Sequence, residues 1–328
     1  MNKKFSMLLR IFVSIGLLFL LFWLMRGQIG DIWATIRSAD MKFIYMALAL
    51  FVANVSMLSY RMKIIFRGED VIISFKESLQ LTFIGYFFNN FMPTAVGGDI
   101  IKAHYAGLHS GEKIKSYASV LMDRFIGLYS FLIVAAVALL IDQGRIDSPT
   151  MRPMVFSLLA IGLVLFFVAT NRHVARLMEK ILTRVKMMSL GEKLNKIYAI
   201  VHDYRNRGGL VARSLAVSVA AQSIFFIIVY LFFISLGKPV SVGNTFLIMP
   251  VVAFISMLPS VGGLGVREGA IVAFFGPLAG KETAFAASLL LLFGYFFVSF
   301  IGGVIYFMWG VNIAEVKKAE QEAEELKA

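Results

Sequence analysis

The chain has 328 residues, of which 59% are hydrophobic, and it carries a formal net charge of +12. Its mean hydropathy is +0.79, and soluble domains contain only about 45–50% apolar residues. This composition excludes a water-soluble domain and indicates a polytopic membrane protein. Because the chain contains no cysteine, disulfides, thiolate metal sites and thiol catalysis are also excluded.

Six apolar blocks are long enough to cross a bilayer, which takes about 20 residues each. They cover residues 7–25, 41–60, 117–141, 151–170, 211–236 and 283–309. The first block is too long for a signal peptide and no small-residue cleavage site follows it, so we predict a retained first span. Two further apolar regions, 75–111 and 242–277, are interrupted by Pro and Gly. Each could be a pair of short spans or a re-entrant hairpin.

The segment between the fourth and fifth predicted spans determines the orientation. Between Arg172 and Arg213 it holds ten basic residues against three acidic ones, a bias typical of cytoplasmic loops. Counting outward places both termini in the cytoplasm. Residues 172–210 have the spacing of an amphipathic helix lying on the membrane surface, although a solvated connector fits equally well. The charged tail 311–328 is expected to be an exposed cytoplasmic helix.

The two interrupted regions resemble each other. Their prolines, Pro93 and Pro259, lie 166 positions apart, close to half the chain. We therefore predict a single membrane domain, 1–328, built from two repeats, 1–145 and 146–310. Since each half contains three full crossings, the second is inverted relative to the first, and the two hairpin tips can meet in mid-bilayer. The predicted hairpin breaks are Pro93, Gly97, Gly98, Pro259, Gly262, Gly263 and Gly265.

Inverted repeats with broken helices build the central site of many transporters, where half-helix N-termini face anionic groups. The alternative is that these Pro-Gly clusters are ordinary turns between short helices and bind nothing. The predicted fold class is therefore an all-α polytopic membrane protein with about six full spans and two broken re-entrant hairpins.

Six ionisable residues fall in or beside the apolar regions: Asp99, Lys102, Asp123, Arg124, Arg267 and Glu268. Each would cost about 2.5–3.5 kcal/mol at the bilayer centre, so each must pair, contact water or lie near an interface. We expect Asp123 and Arg124 to open the third full span, near the inner interface. Asp99 suits an N-cap, and Glu268 suits a first helical turn.

Arg267 has the wrong sign for a helix N-terminus. It therefore needs a negative neighbour, which could be Glu268, Asp99, Asp123 or an anionic substrate. Arginine binds phosphate oxygens with two parallel hydrogen bonds. Arg267, Arg124 and Lys102 are thus the candidate cationic ligands of a lipid headgroup, and the acids Glu268, Asp99 and Asp123 complete the candidate substrate site.

No P-loop or GxSxG motif is present, so neither an ATPase nor a hydrolase is indicated, and we expect a transporter rather than an enzyme. The four histidines form no metal-ligand pattern, and neither a metal nor a cofactor is expected. Any pumping would use a proton or potential gradient, with Asp99, Asp123 or Glu268 as proton carriers, and downhill movement is equally open. The basic residues lie in the loops, so no nucleic-acid partner is expected.

Three stretches, GGDIIKAHYAG, SVLMDRFIGL and PSVGGLGVREGA, resemble the flippase-like membrane domain of the lysylphosphatidylglycerol synthases. The resemblance implies a stand-alone member without the soluble aminoacyl-transferase domain, and hence without synthase activity. It places the family signature on Gly97, Gly98, Asp99, Asp123, Arg124, Pro259, Gly262, Gly263, Gly265, Arg267 and Glu268.

The expected function is therefore a lipid translocase for an anionic phospholipid or a polyprenyl-phosphate-linked lipid. Membrane lipids with anionic headgroups would be its partners. One alternative is a membrane-embedded transferase acting on a lipid-linked donor, with Asp99 or Asp123 as base. Another is a non-catalytic partner subunit of a separate lipid-modifying enzyme, docked through the cytoplasmic loop.

Overall fold

The computed structural model describes residues 26–91, 97–142, 151–170 and 207–308 except 259 and 261, together with isolated positions such as Tyr204. Every regular element in these ranges is a helix. A 3-10 turn, Arg26–Gln28, precedes ten α-helices, which we number in chain order. They are α1 (Ile29–Arg37), α2 (Met41–Gly68), α3 (Phe75–Phe91), α4 (Gly97–Ser110), α5 (Lys113–Asp142), α6 (Met151–Thr170), α7 (Gly208–Ser235), α8 (Val242–Ile255), α9 (Val266–Ala279) and α10 (Lys281–Met308).

The all-helical membrane architecture predicted from the sequence is confirmed. Within the described residues, four helices are long and apolar enough to cross a membrane: Met41–Gly68, Lys113–Ile141, Gly208–Ser235 and Lys281–Met308. The helix α6 coincides with the predicted span 151–170. Most of the predicted span 7–25, most of the segment 172–210, the tail 311–328 and the break residues Pro93 and Pro259 lie outside the described residues.

Two helix boundaries differ from the prediction. The helix α2 continues to Gly68 rather than ending near residue 60, because the apolar spacing persists through Met62, Ile65 and Phe66, all of them buried. Likewise, α5 begins at Lys113. Asp123 and Arg124 therefore lie about 15 Å along that helix, and the expectation that they open it is wrong.

Both interrupted regions form pairs of short helices. The first pair, α3 and α4, has 17 and 14 residues, and the second, α8 and α9, has 14 residues each. At 1.5 Å per residue these helices are about 21–26 Å long, shorter than the hydrocarbon core of about 30 Å. None of the four reaches across the core on its own if it stands along the bilayer normal.

The helices α2 and α7, which occupy equivalent positions in the two predicted repeats, pack side by side and antiparallel. At one end the Asp40 N–H donates to the Ser235 carbonyl at 2.8 Å. Midway, Asn54 Nδ2 donates to the Ala221 carbonyl at 2.6 Å. At the other end, Gly68 packs against Leu210. Opposite directions in equivalent helices are what an inverted repeat requires.

Two further helix contacts also join equivalent pairs of helices in the two predicted repeats. The hairpin helix α3 packs on α10, the last span of the other half, and α8 packs on α5. Glycine allows the first of these contacts, since a Cβ at Gly302 would collide with the Phe83 carbonyl. Each hairpin therefore packs against a full span from the opposite half.

Candidate functional site

The broken ends of the two hairpins are in contact. A Cβ placed on Gly262 would lie 3.2 Å from the carbonyl oxygen of Asn89, at the end of α3. The Asn89 Oδ1 atom accepts a hydrogen bond from the Gly98 N–H at 2.9 Å, and Asn90 Nδ2 donates to the Tyr295 carbonyl at 3.4 Å. We call Asn89, Asn90, Gly98 and Gly262 the hairpin junction.

The glycines predicted as breaks have specific conformational roles at this junction. Gly262, Gly263 and Gly265 have φ values of 58°, 80° and 80°, in the left-handed region that side chains disfavour. The first hairpin uses glycine for close approach instead. A Cβ on Gly98 would collide with the Gly85 carbonyl, so the absence of a side chain lets α4 fold back onto α3. Gly97 is the buried first residue of α4.

Charged side chains from the start of α4 and from α5 form a cluster, which we call the Asp99 cluster: Asp99 and Lys102 lie on α4, and Arg124 lies on α5. Arg124 Nε donates to Asp99 Oδ2, and Lys102 Nζ lies 3.5 Å from Asp99 Oδ1. Asp99 is 7% exposed, whereas 42% of the Arg124 side chain is exposed. Two cations thus share one buried carboxylate, which directly follows Gly98 of the hairpin junction.

Asp123 faces a different partner. Arg61 binds both of its carboxylate oxygens, through Nε at 2.7 Å and Nη2 at 2.8 Å. The third Arg61 nitrogen, Nη1, donates to Ser218 Oγ at 2.5 Å, and Ser218 donates in turn to Ser130 at 3.1 Å. This electrically neutral network joins α2, α5 and α7. It ties the two halves of the chain together beside the Asp99 cluster, since Asp123 precedes Arg124.

Arg267 and Glu268 form the third ion pair. Arg267 donates to Glu268 Oε1 from Nε at 3.1 Å and from Nη2 at 2.7 Å, while Glu268 Oε2 accepts from the Gly265 N–H at 2.6 Å. The guanidinium lies 4.4 Å from the centre of the Tyr295 ring, and Arg267 is only 7% exposed. Glu268 therefore supplies the negative charge that Arg267 needs at the start of α9, and it also caps that helix.

The structure thus divides the six predicted site residues into three groups. Asp99, Lys102 and Arg124 come together, Asp123 pairs with Arg61, and Arg267 pairs with Glu268. The Tyr86 ring lies near the third group, since its centroid is 6.3 Å from that of Tyr295, the ring beside the Arg267 guanidinium.

The sequence analysis did not predict roles for Arg61 and Tyr295 or for the junction residues Asn89 and Asn90. The continued apolar spacing after Arg61 would have kept it inside a helix and marked it as a buried charge that needs a carboxylate. The asparagine pair just before the first break offered a similar signal, because amides at a helix end can bond free backbone groups. In the described part of the chain, no three metal-ligating side chains cluster.

Comparison with known proteins agrees with this architecture. The family model for the lysylphosphatidylglycerol synthase TM region matches residues 7–318. A UPF0104 membrane protein of Methanothermobacter thermautotrophicus is 23% identical over 309 residues, which cover 87% of this chain and 91% of the relative. A UPF0104 membrane protein of Pyrococcus horikoshii is 24% identical over 336 residues, covering 90% and 95%. No solved structure gives a significant match. The chain therefore belongs to the family of lysylphosphatidylglycerol synthase transmembrane regions.

Proposed function

We propose that the protein is a translocase that moves an anionic lipid, either a phospholipid or a polyprenyl-phosphate-linked lipid, between the leaflets of the plasma membrane. Both termini would lie in the cytoplasm. The observation that carries this proposal is the Asp99 cluster, in which two cations share one buried carboxylate beside the hairpin junction. The role requires binding and movement of a lipid, and it needs no covalent step.

The two cations of the Asp99 cluster would attract an anion, because neither hydrocarbon nor protein solvates a cation as water does. A phosphate group would add negative charge beside them, and the planar Arg124 guanidinium can bind two phosphate oxygens at once. Asp99 would hold the two cations in place in the unloaded protein and would lower the affinity enough for the lipid to leave again.

The hairpins supply the moving parts in this proposal. Irregular backbone at membrane depth persists only where protein or a wet cavity covers it, and here the Gly262 turn contacts the end of α3. The lipid headgroup would cross at the hairpin junction while its tails remained in the bilayer. Opening the junction toward one face and then the other would give alternating access. The neutral pairs Arg61–Asp123 and Arg267–Glu268 would hold the surrounding helices.

Leaflet-resolved lipid transport in proteoliposomes tests this proposal. The assay would follow fluorescent phosphatidylglycerol, a fluorescent polyprenyl phosphate and, as the zwitterionic comparison, fluorescent phosphatidylcholine. We expect the wild type to move at least one anionic lipid faster than empty vesicles do. Lys102→Gln and Arg124→Gln should each reduce that rate by about tenfold or more, the effect of losing one charge-assisted contact.

The matched controls are Lys238→Gln and Arg37→Gln, which remove the same charges at exposed positions and should leave the rate unchanged. Equal rates for the wild type, the two cluster variants and empty vesicles, with every anionic lipid tested, would refute the translocase proposal. Faster transport of phosphatidylcholine than of both anionic lipids would refute the assignment of an anionic substrate.

A further inference from the structure

A second group of cations lies at one end of the α2–α7 pair, away from the hairpin junction. Tyr60, Lys63 and Arg67 on α2 and Arg213 on α7 line an open cleft of about 430 Å³, whose remaining lining residues are Ile64, Gly68, Gly209 and Leu210. We call it the basic cleft. Close packing of Gly68 against Leu210 brings the two helices together here, so side chains from both halves of the chain face one space.

Among the described residues that line the basic cleft, three are cations and none is an acid. The acid that follows Gly68 in sequence, Glu69, pairs with Arg207 at 3.1 Å. Arg213 is positioned by Tyr60, because its Nη2 donates to the Tyr60 hydroxyl and its guanidinium carbon lies 5.7 Å from the centre of the Tyr60 ring. The remaining N–H groups of that fork are available to an anion.

The start of α7 adds backbone donors to the same cleft. No side chain caps this helix, and the first N–H groups of a helix have no partner within it. Gly209 contributes no side chain that would keep a ligand away from them. These donors alone would not define a site, but here they line the same space as three cations.

The position of the basic cleft along the helices selects a membrane ligand. Each of α2 and α7 has 28 residues, which gives about 42 Å against a hydrocarbon core of about 30 Å. Their terminal turns therefore extend into the headgroup layer, where Tyr side chains concentrate and where Lys and Arg reach lipid phosphates. The cleft is built from the last two turns of α2 and the first turn and a half of α7.

We propose that the basic cleft binds the phosphate of an anionic phospholipid, and that this lipid is a bound structural component rather than the transported substrate. Because the cleft takes Lys63 and Arg67 from one half and Arg213 from the other, the lipid would clamp α2 to α7. Anionic lipid should therefore stabilise the protein. This inference stands whether or not the chain transports lipid.

The test measures the melting temperature of the purified full-length protein in detergent as lipid is added. Phosphatidylglycerol should raise the melting temperature saturably, as expected for a ligand that binds only the folded state, and phosphatidylcholine should not. In the Lys63→Gln/Arg213→Gln variant, the phosphatidylglycerol concentration that gives half of the shift should rise about tenfold or more. The control variants Arg37→Gln and Lys238→Gln should respond like the wild type.

Two further arms separate the possible sources of the effect. Loss of the response in Arg124→Gln, combined with a wild-type response in Lys63→Gln/Arg213→Gln, would assign the effect to the Asp99 cluster and overturn the proposal. Inorganic phosphate that gives the same shift at the same concentrations would show a free-anion site and overturn the lipid assignment. An unchanged titration in the double variant would overturn the proposal outright. If that variant does not fold, Arg67→Gln, at an exposed position, is judged by the same criterion.

Discussion

Single buried charges in this protein are stable only because each has a specific partner. Arg61 is 6% exposed and Glu268 is fully buried. Removing one member of such a pair leaves an uncompensated charge and costs about 3–5 kcal/mol, whereas replacing both members by apolar residues is often close to neutral. The neutral pairs and the Asp99 cluster should therefore respond differently to substitution: the pairs through stability, the cluster through lipid transport.

Arg61 provides the clearest stability prediction. Arg61→Met should destabilise the protein by about 3–5 kcal/mol, because Asp123 loses both of its hydrogen bonds and remains buried. Adding Asp123→Leu should recover at least half of that loss. The measurement is thermal unfolding in detergent, with the exposed Arg37→Met as control. If the double variant is as unstable as the sum of the two single variants, the Arg61–Asp123 pair does not exist in the folded protein.

A substitution of Arg267 tests whether this residue stabilises the fold or binds the lipid headgroup. Its guanidinium donates to Glu268 and lies over the Tyr295 ring. Arg267→Lys should therefore lower the melting temperature, because lysine has no planar guanidinium that can stack on the ring and donate two hydrogen bonds to the carboxylate. The ratio of phosphatidylglycerol to phosphatidylcholine transport should stay within about twofold of the wild type, since a lost charge-assisted contact would change it about tenfold. A melting temperature like that of the wild type, combined with loss of anionic preference, would instead make Arg267 a headgroup ligand.

At the scale of helices, the sequence predicted where the chain is helical and where it breaks, because both depend on local composition. Apolar length gave the spans, and the Pro and Gly clusters gave the hairpins. The interaction partners of individual side chains could not be predicted from local composition. Arg61 appeared to end a span because it is charged, yet its carboxylate partner lies 62 positions away. The contact between Gly262 and Asn89 depends on how the two halves pack, which no local pattern records.

The glycine contact inside the first hairpin gives a prediction at this scale. Gly98→Ala should destabilise the protein by about 1–3 kcal/mol or more, the range for overpacking, because the new methyl group would meet the backbone of Gly85 rather than a movable side chain. Gly30→Ala, in α1 with no atom near the added methyl, is the control and should be neutral or slightly stabilising. Thermal unfolding of both variants provides the comparison, and equal stabilities would contradict the close packing of α3 and α4.

For the whole molecule, α2 and α7 pack antiparallel, and the Gly262 turn of one hairpin contacts the end of α3 in the other. The Arg61 network joins α2 to α7, and in the proposed transporter these two helices would form a fixed frame. The hairpins have a smaller contact, made through the Gly262 turn and the end of α3. In a transporter built this way, the frame stays together while the hairpin junction opens and closes.

Locking the hairpin junction tests this mechanism most directly. Because the chain has no cysteine, an Asn90→Cys/Gly262→Cys variant contains a single possible disulfide. A Cβ at Gly262 would lie 3.9 Å from the Asn90 Cα, which is compatible with disulfide geometry. Any strain from a side chain at Gly262, where φ is 58°, is present before and after oxidation, so the reduced form of the same protein is the control. Anionic lipid transport in proteoliposomes should stop on oxidation and return on reduction. Transport at the same rate in the fully oxidised protein would mean that the lipid does not cross by movement of the two hairpins.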